Sequence, residues 1–292
     1  MKLTALIPVR NDDYMLRFCL AALVEHVDRI IVLDDASTDE SWAVANSFAD
    51  AHAHVQAFRA VEQLGWVKAR HQLLDLAGDD QHLFWLDSDD VLCEYNAWVL
   101  GAVASGGQAV VRLPLCELWG DFNHTTQRSR HYDRCHIYVN RGLWHDFAWT
   151  GTAGAKPVRL SSMSPGRSGG PLLFHCKGVK PDRRLVERMC FRRWLRAQNS
   201  PHSAAGIEQK SEEEIHQAAV AFLLTSHQDR IRWSYRPGVM REPLWPRRPR
   251  VILQHIEAGQ RFEVLYRDGT RYDRTDKGHT PGDALETLET PW

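Results

Sequence analysis

"LTALIPVRNDDYMLRFCLAALVEHVDRIIVL", residues 3–33, joins two short apolar runs through a helical pattern. Leu3 to Val9 is a continuous apolar run of strand length. Tyr14 to His26 carries Leu16, Leu20 and Leu23, with Val27 just beyond, which is the spacing of one helix face. Asp12 or Asp13 is placed to cap that helix. Arg29 to Leu33 is a second buried strand. The unit therefore predicts strand, helix, strand.

The alternation continues outward. Ser37-Thr38-Asp39-Glu40 has the S-x-x-E form of a capping box and opens a helix to about Ala51. Val55 to Arg59 reads as a third strand, Trp66 to Ala77 as a helix, and His82 to Leu86 as a fourth strand. Near-continuous apolar strands joined by helices predict an α/β fold with a mostly parallel sheet covered on both faces. Ligands of such sheets bind beyond the carboxyl ends of the strands. Three of those ends are polar or acidic: Arg10-Asn11-Asp12, Asp34-Asp35 and Asp87 to Asp90.

The rest of the chain is less regular. Ala109 to Leu115 reads as a fifth strand, residues 120–134 as a polar loop, and His136 to Asn140 as a short strand. Residues 161–170 are loop by composition. Helices are expected over Asp182 to Ala197 and Glu208 to Thr225. Four prolines make residues 236–250 a linker. Residues 251–292 read as a small β appendage, with strand-like runs around Glu257-Ala258-Gly259, an Asp268-Gly269 turn signal and a disordered tail. The domain boundaries expected are 1–235, divided into halves at 105/106, then the linker, then the appendage.

Bulk composition excludes several classes. The 292 residues are 43% hydrophobic and 25% charged, with a net charge of −1. That is an ordinary globular composition, and it favours no polyanionic partner. No window approaches the roughly 18 uninterrupted apolar residues of a membrane span. The N-terminal apolar run is broken by Pro8 and Arg10, too short for a secretory signal. Six cysteines without a C-x-x-C pair fit free thiols in a reducing compartment. A cytoplasmic location, peripheral to the inner membrane if attached at all, is the expectation.

Within "FWLDSDDVL", residues 84–92, a buried strand runs into three carboxylates. Like charges so close raise one another's pKa unless something neutralises them. Residues i and i+2 of a strand end point to the same side, so Asp87 and Asp89 can converge on one ion while Ser88 is a spacer. Carboxylate oxygens suit Mg²⁺ or Mn²⁺. The alternative is an acidic cap for a helix after Val91; Asp90 is expected to be that cap or a partner supporting the ligands. Asp34-Asp35 can likewise accept from a nucleobase or ribose, or simply form a turn and cap.

Four segments in order, "ALIPVRND" at 5–12, "IIVLDDASTDES" at 30–41, "EQLGWVKARHQLL" at 62–74 and "FWLDSDDVL" at 84–92, resemble the family 2 glycosyltransferases of GT-A fold. The resemblance covers roughly the first 100 residues. It implies a nucleoside-diphosphate-sugar donor, a divalent metal (Mn²⁺ or Mg²⁺) held through a D-x-D, and transfer to an acceptor hydroxyl. On that resemblance Pro8, Asn11, Asp34, Asp35, Gly65, Arg70 and Asp87 bind the donor, and Asp87, Asp89 and His175 hold the metal. Gln63 and Ala36 depart from the family pattern, which often has Asn and Gly there.

The acceptor half is more remote. "GLWHDFAW", 142–149, resembles the element that supplies the catalytic base in lipopolysaccharide-core glucosyltransferases, which makes Asp146 the base candidate. Asp121 and Asp133 are alternatives. Trp144 and Trp149 flank it. "LLFHCKGVKPDRRLVERMCFRRW", 172–194, ends a strand at His175 and continues into Lys177, Lys180, Arg183 and Arg184. Lys177 or Arg183 would neutralise the leaving diphosphate. The acceptor class stays open: glycan, lipid-linked glycan, protein or nucleic acid. Two further readings compete. A sugar-1-phosphate nucleotidyltransferase needs a Gly-rich loop that "IPVRNDD" lacks. A catalytically silent nucleotide-sugar or glycan-binding module would need no base.

Overall fold

The computed structural model describes residues 2–105 without a break. Beyond them it describes 110–112, 115–118, 122, 124–126, 137–140, 147–149, 155–157, 161–162, 172–176, 178–181, 184–186, 211, 213–215, 217–218, 231–233, 249–257, 263–265 and 271–273. Asp121, Asp133, Trp144, Asp146, Lys177 and Arg183 lie outside the described residues, as do the 236–248 part of the expected linker and most of both late helices.

The elements of the first part are β1 (Leu3–Val9), α1 (Asp13–Leu23), β2 (Arg29–Asp34), α2 (Ser41–Ala51), β3 (Val55–Arg59), α3 (Trp66–Ala77), β4 (His82–Trp85), β5 (Asp90–Leu92) and α4 (Trp98–Ser105). Then come β6 (Val110–Arg112), β7 (Leu115–Glu117), β8 (His124–Thr126), β9 (Ile137–Asn140), β10 (Phe147–Trp149), β11 (Ala155–Pro157), β12 (Ser161–Ser162), β13 (Leu173–His175) and β14 (Ile231–Trp233). A helix Arg250–Glu257 and the strands β15 (Glu263–Leu265) and β16 (Arg271–Asp273) complete the order.

The main sheet has seven strands in the order β12-β6-β9-β4-β1-β2-β3. β1 pairs in parallel with both β2 and β4, and β2 with β3. β9 runs antiparallel to β4 and β6. The fold is thus α/β with a mostly parallel sheet, as expected. The chain builds β1, β2 and β3 outward, then returns to place β4 on the other side of β1. That reversal opens a crevice at the carboxyl ends of β1 and β4.

Period-two alternation decides which residues meet α3. Leu6, Ile31, Leu33, Leu83 and Trp85 form one face of the sheet, against Ala69, Leu73 and Ala77 of α3 at i, i+4, i+8. Burying such a leucine contributes about 2 kcal/mol. Leu73→Ala, which would also leave a cavity, costs about 2–5 kcal/mol. Ala5, Ile7, Ile30, Val32 and Phe84 alternate with these and are fully buried on the other side. The β1–β4 ladder stops at Leu6–Trp85, so Pro8, which has no N–H to donate, sits beyond the last β4 pairing.

Several local expectations are corrected. α2 begins at Ser41, not Ser37, and the capping box does not form: Asp39 Oδ1 accepts the Ser41 N–H at 2.9 Å, while Ser37 Oγ accepts from Asn11 N at 3.0 Å. The long-range partner outcompetes the local cap. The single strand expected over Ala109 to Leu115 is replaced by β6 and β7, which belong to different sheets. The 120–134 segment contains β8, paired antiparallel with β14, and the 161–170 segment starts with β12, parallel to β6. Residues 250–257 are a helix rather than a strand. Pro249 O accepts from Ile252 and Leu253, and Glu94 Oε1 caps Arg250 N at 2.7 Å. The cap comes from 156 positions away. The two strands on either side of the expected Asp268-Gly269 turn, β15 and β16, pair antiparallel; the turn itself lies outside the described residues.

The chain divides into two compact units. One comprises Met1–Cys116, Arg130–His175 and Glu242–Leu253; the other comprises Glu117–Ser129, Cys176–Arg241 and Gln254–Trp292. Cys19, Cys93, Cys116 and Cys176 are buried free thiols. Among the described residues no helix is long and apolar enough to cross a membrane.

Candidate active site at the carboxyl edge of the sheet

The loops after β1, β2 and β4 converge and are tied together. Asn11 Oδ1 accepts from Thr38 N at 2.8 Å, and Asp12 N donates to Ser41 Oγ at 2.9 Å. Asp12 lies at the start of α1, but its carboxylate does not cap the helix; Oδ2 accepts the Ser88 hydroxyl at 2.8 Å. Ser88, read from sequence as a spacer, is thus the link between the β1 and β4 loops.

Both carboxylates of the Asp34-Asp35 pair face the protein's own backbone. Asp34 is fully buried, accepts from Ser37 N at 3.3 Å on both oxygens, and is paired with Arg59 Nε at 3.3 Å. Burial pushes its pKa up, against the lowering pull of Ser37 and Arg59. Asp35 accepts from Leu64 N at 2.5 Å and Gly65 N at 3.1 Å. It thereby fixes the entry to α3, where Gly65 has φ +78°, a conformation glycine adopts without strain. Ala36 also lies in the left-handed region, at φ +53°, which accounts physically for glycine being common there in the resembled family.

Around "FWLDSDDVL" the carboxylates separate by role. Asp87 Oδ1 lies 3.0 Å from Arg70 Nη2, and the Arg70 guanidinium stands 5.7 Å over the Trp85 ring. Asp90 is not a helix cap: it opens β5, which pairs antiparallel with β13 so that Asp90 is opposite His175. Asp90 Oδ2 accepts from Asp87 N at 2.6 Å, and Oδ1 lies 2.8 Å from His175 Nδ1. Asp89 Oδ1 lies 3.4 Å from the same nitrogen.

Asp89, Asp90 and His175 each offer a ligand atom within 4.8 Å of the others, and all three are buried. The expected metal set was Asp87, Asp89 and His175. The structure gathers Asp89 and His175 with Asp90 instead, and gives Asp87 to Arg70. The negative charge reaches Cys19, whose thiol is pushed well up, first by burial and then by Asp90, Asp89, Asp12 and Asp87. Two hard carboxylates and one imidazole, buried around a common point in such a field, fit a divalent ion of the Mn²⁺ or Mg²⁺ type.

Residues 4–98 match the family model described as Glycosyl transferase family 2. This segment is a family 2 glycosyltransferase segment. It runs from β1 into the first residue of α4 and contains every strand end described above except that of β13. The family 2 segment therefore includes Asp89 and Asp90, while His175 is delivered from outside it. A search of curated proteins finds no match. In structure the chain is similar to TarS 1-349 of S. aureus, with 13% identity and a TM-score of 0.46 over 82% of this chain and 76% of that one. It is also similar to the mannosyltransferase PcManGT of Pyrobaculum calidifontis in complex with GDP-Man and Mn²⁺, with 14% identity and a TM-score of 0.44 over 77% and 72%.

Sequence reading left the partners of three residues unseen. The partner of Asp90, His175, is set by the β5–β13 register, 85 positions away. Arg10 lies in the first motif segment but carried no role there, and Arg59 lies in none, yet both grip the loop after β2.

Proposed function

We propose that this glycosyltransferase is an inverting, metal-dependent enzyme that takes its sugar from a nucleoside diphosphate. The observation that carries the reading is the meeting of Asp89, Asp90 and His175 at the crevice edge of a family 2 segment. A divalent ion held by these three side chains would stabilise the charge that builds on the departing diphosphate.

The chain's own groups divide the remaining work. Arg70, held against Asp87 and Trp85, is a cation at the edge of the crevice and suits phosphate oxygens bidentately. Asp87 accepts from Arg70 in the structure and from the donor when Arg70 turns to phosphate. Asn11, Asp34, Asp35 and Gly65 form the frame on which the nucleoside rests, with Pro8 beneath it. Asp146 is the base for the acceptor hydroxyl, and Lys177 and Arg183 assist departure of the diphosphate; these three roles rest on sequence. Opposite-face attack by the acceptor inverts the anomeric centre. The acceptor is a glycan, lipid-linked or not, a protein or a nucleic acid. Buried free thiols fit work in the cytoplasm.

The test is a transfer and hydrolysis assay over a panel of nucleotide sugars with Mn²⁺. The wild-type chain is expected to consume at least one donor, and Asp89→Ala to consume none while keeping its melting temperature within a few degrees. Wild-type turnover by Asp89→Ala would remove the assignment.

A further inference from the structure

Two non-glycine residues hold left-handed backbone at the ends of neighbouring strands: Asn11 at φ +48° and Ala36 at φ +53°. Left-handed backbone is costly for an alanine and persists only where the surroundings over-determine it. Around Ala36 they do. Arg10 Nη1 donates to Asp35 O at 2.5 Å and to Ala36 O at 3.1 Å. Arg59 Nη2 donates to Ser37 O at 3.1 Å, and its Nε pairs with the buried Asp34. Three successive carbonyls, 35 to 37, are thus held by two guanidiniums from the two flanking strands. Arg59 in turn stands 5.9 Å over the Trp42 ring of α2.

This arrangement has a consequence for binding. The acids of the β2 loop are turned inward: Asp34 to Ser37 N and Arg59, Asp35 to Leu64 N and Gly65 N. Their oxygens secure the loop, and what the loop offers a ligand is its fixed shape. A loop held in advance avoids the ordering cost of binding, so affinity depends on whatever holds it. We infer that Arg10 and Arg59 are positioning residues for the donor nucleotide, acting through the strained 34–37 loop rather than by touching the sugar. The inference rests on the proposed donor site and adds to it two residues to which the resemblance assigned no role.

The test uses the full chain and five nucleoside diphosphates (ADP, CDP, GDP, TDP and UDP) with Mn²⁺, read by calorimetry. For the diphosphate that wild type binds best, Arg10→Met and Arg59→Met should each weaken binding about tenfold, the scale of a lost charged hydrogen bond. Where a donor is turned over, KM should rise and kcat hold. Arg10→Lys, which keeps the charge on a single nitrogen, should fall between. The decisive arm is Ala36→Gly placed in Arg10→Met. Glycine takes the left-handed form without needing the guanidinium, so it should recover most of the lost affinity. Because Ala36→Gly also raises stability slightly, thermal melts are run beside the calorimetry: affinity should recover by far more than the small gain in melting temperature accounts for, whereas after a fold-wide defect the two would fall and recover together. Unchanged affinity in both arginine variants overturns the inference alone. Failure of wild type to bind any of the five removes the donor site and the inference with it.

Discussion

His175 Nδ1 lies 2.8 Å from Asp90 Oδ1 and 3.4 Å from Asp89 Oδ1, although the histidine is 85 positions from Asp90. The β5–β13 register makes that meeting, and it places an imidazole between two buried carboxylates. An acidic strand end by itself is a poor metal site. With a third ligand of different chemistry brought in by a separate strand, it has the make-up of one.

Arg70→Met should weaken the enzyme more than it weakens the fold. The Arg70–Asp87 pair is only partly buried, with side-chain exposures of 13% and 21%, so its contribution to stability is about 1 kcal/mol. Its loss to phosphate recognition should be larger. We expect a donor KM raised at least about tenfold, with a melting temperature lowered by only a few degrees. Steady-state kinetics with paired thermal melts check both parts.

Ala36→Gly should stabilise the protein. The left-handed conformation costs alanine about 1–2 kcal/mol, while glycine's extra freedom in the unfolded chain costs about 0.5–1 kcal/mol. The difference favours glycine by up to about 1 kcal/mol, a rise of about 1–3 °C in melting temperature. Calorimetry of the single variant gives the sign, and a lower melting temperature would contradict the strain argument.

Acid should reach Asp80 later than an ordinary carboxylate. Burial raises the Asp80 pKa, but hydrogen bonds from Thr4 at 2.7 Å, Arg29 at 2.8 Å and Lys2 at 3.1 Å outweigh it and hold the carboxyl below its ordinary 3.8. A depressed folded pKa contributes stability above the unfolded value and loses it as pH falls through the folded one. Asp80→Asn should therefore cost about 1–2 kcal/mol at pH 7, and the gap from wild type should close below pH 3.8. Asp34 has the opposite sign: its raised pKa gives stability that is full below 3.8 and fades as pH rises through the folded value. Urea melts of Asp80→Asn and wild type across pH 3–7 should show curves that converge on the acid side.

Legibility in the sequence followed the range of the interactions. β1, β3 and α3 form over the same residues that period and composition mark out, because their bounds are set by local apolar pattern and not by distant partners. The parallel order of β1, β2 and β4 follows from helices that join adjacent apolar strands. What escaped reading depended on distant partners. Ser37 binds Asn11 instead of capping α2, and the helix at Arg250 takes its cap from Glu94. Asp90 has the composition of a cap but the register that sets it opposite His175. Asp34 and Asp35 stood out as an acidic strand end, yet their partners in the structure are backbone amides and Arg59, which no spacing rule points to.

The central claim is that Asp89, Asp90 and His175 together hold a divalent ion. Titration of the full chain with Mn²⁺, followed by the loss of its free-ion paramagnetic resonance signal, tests it without any donor or acceptor. Wild type should bind one equivalent. Asp89→Asn, Asp90→Asn and His175→Gln should each weaken that binding by more than about tenfold, and Asp87→Asn should affect it least. Wild-type Mn²⁺ affinity in Asp89→Asn and His175→Gln, or a loss confined to Asp87→Asn, would contradict the account.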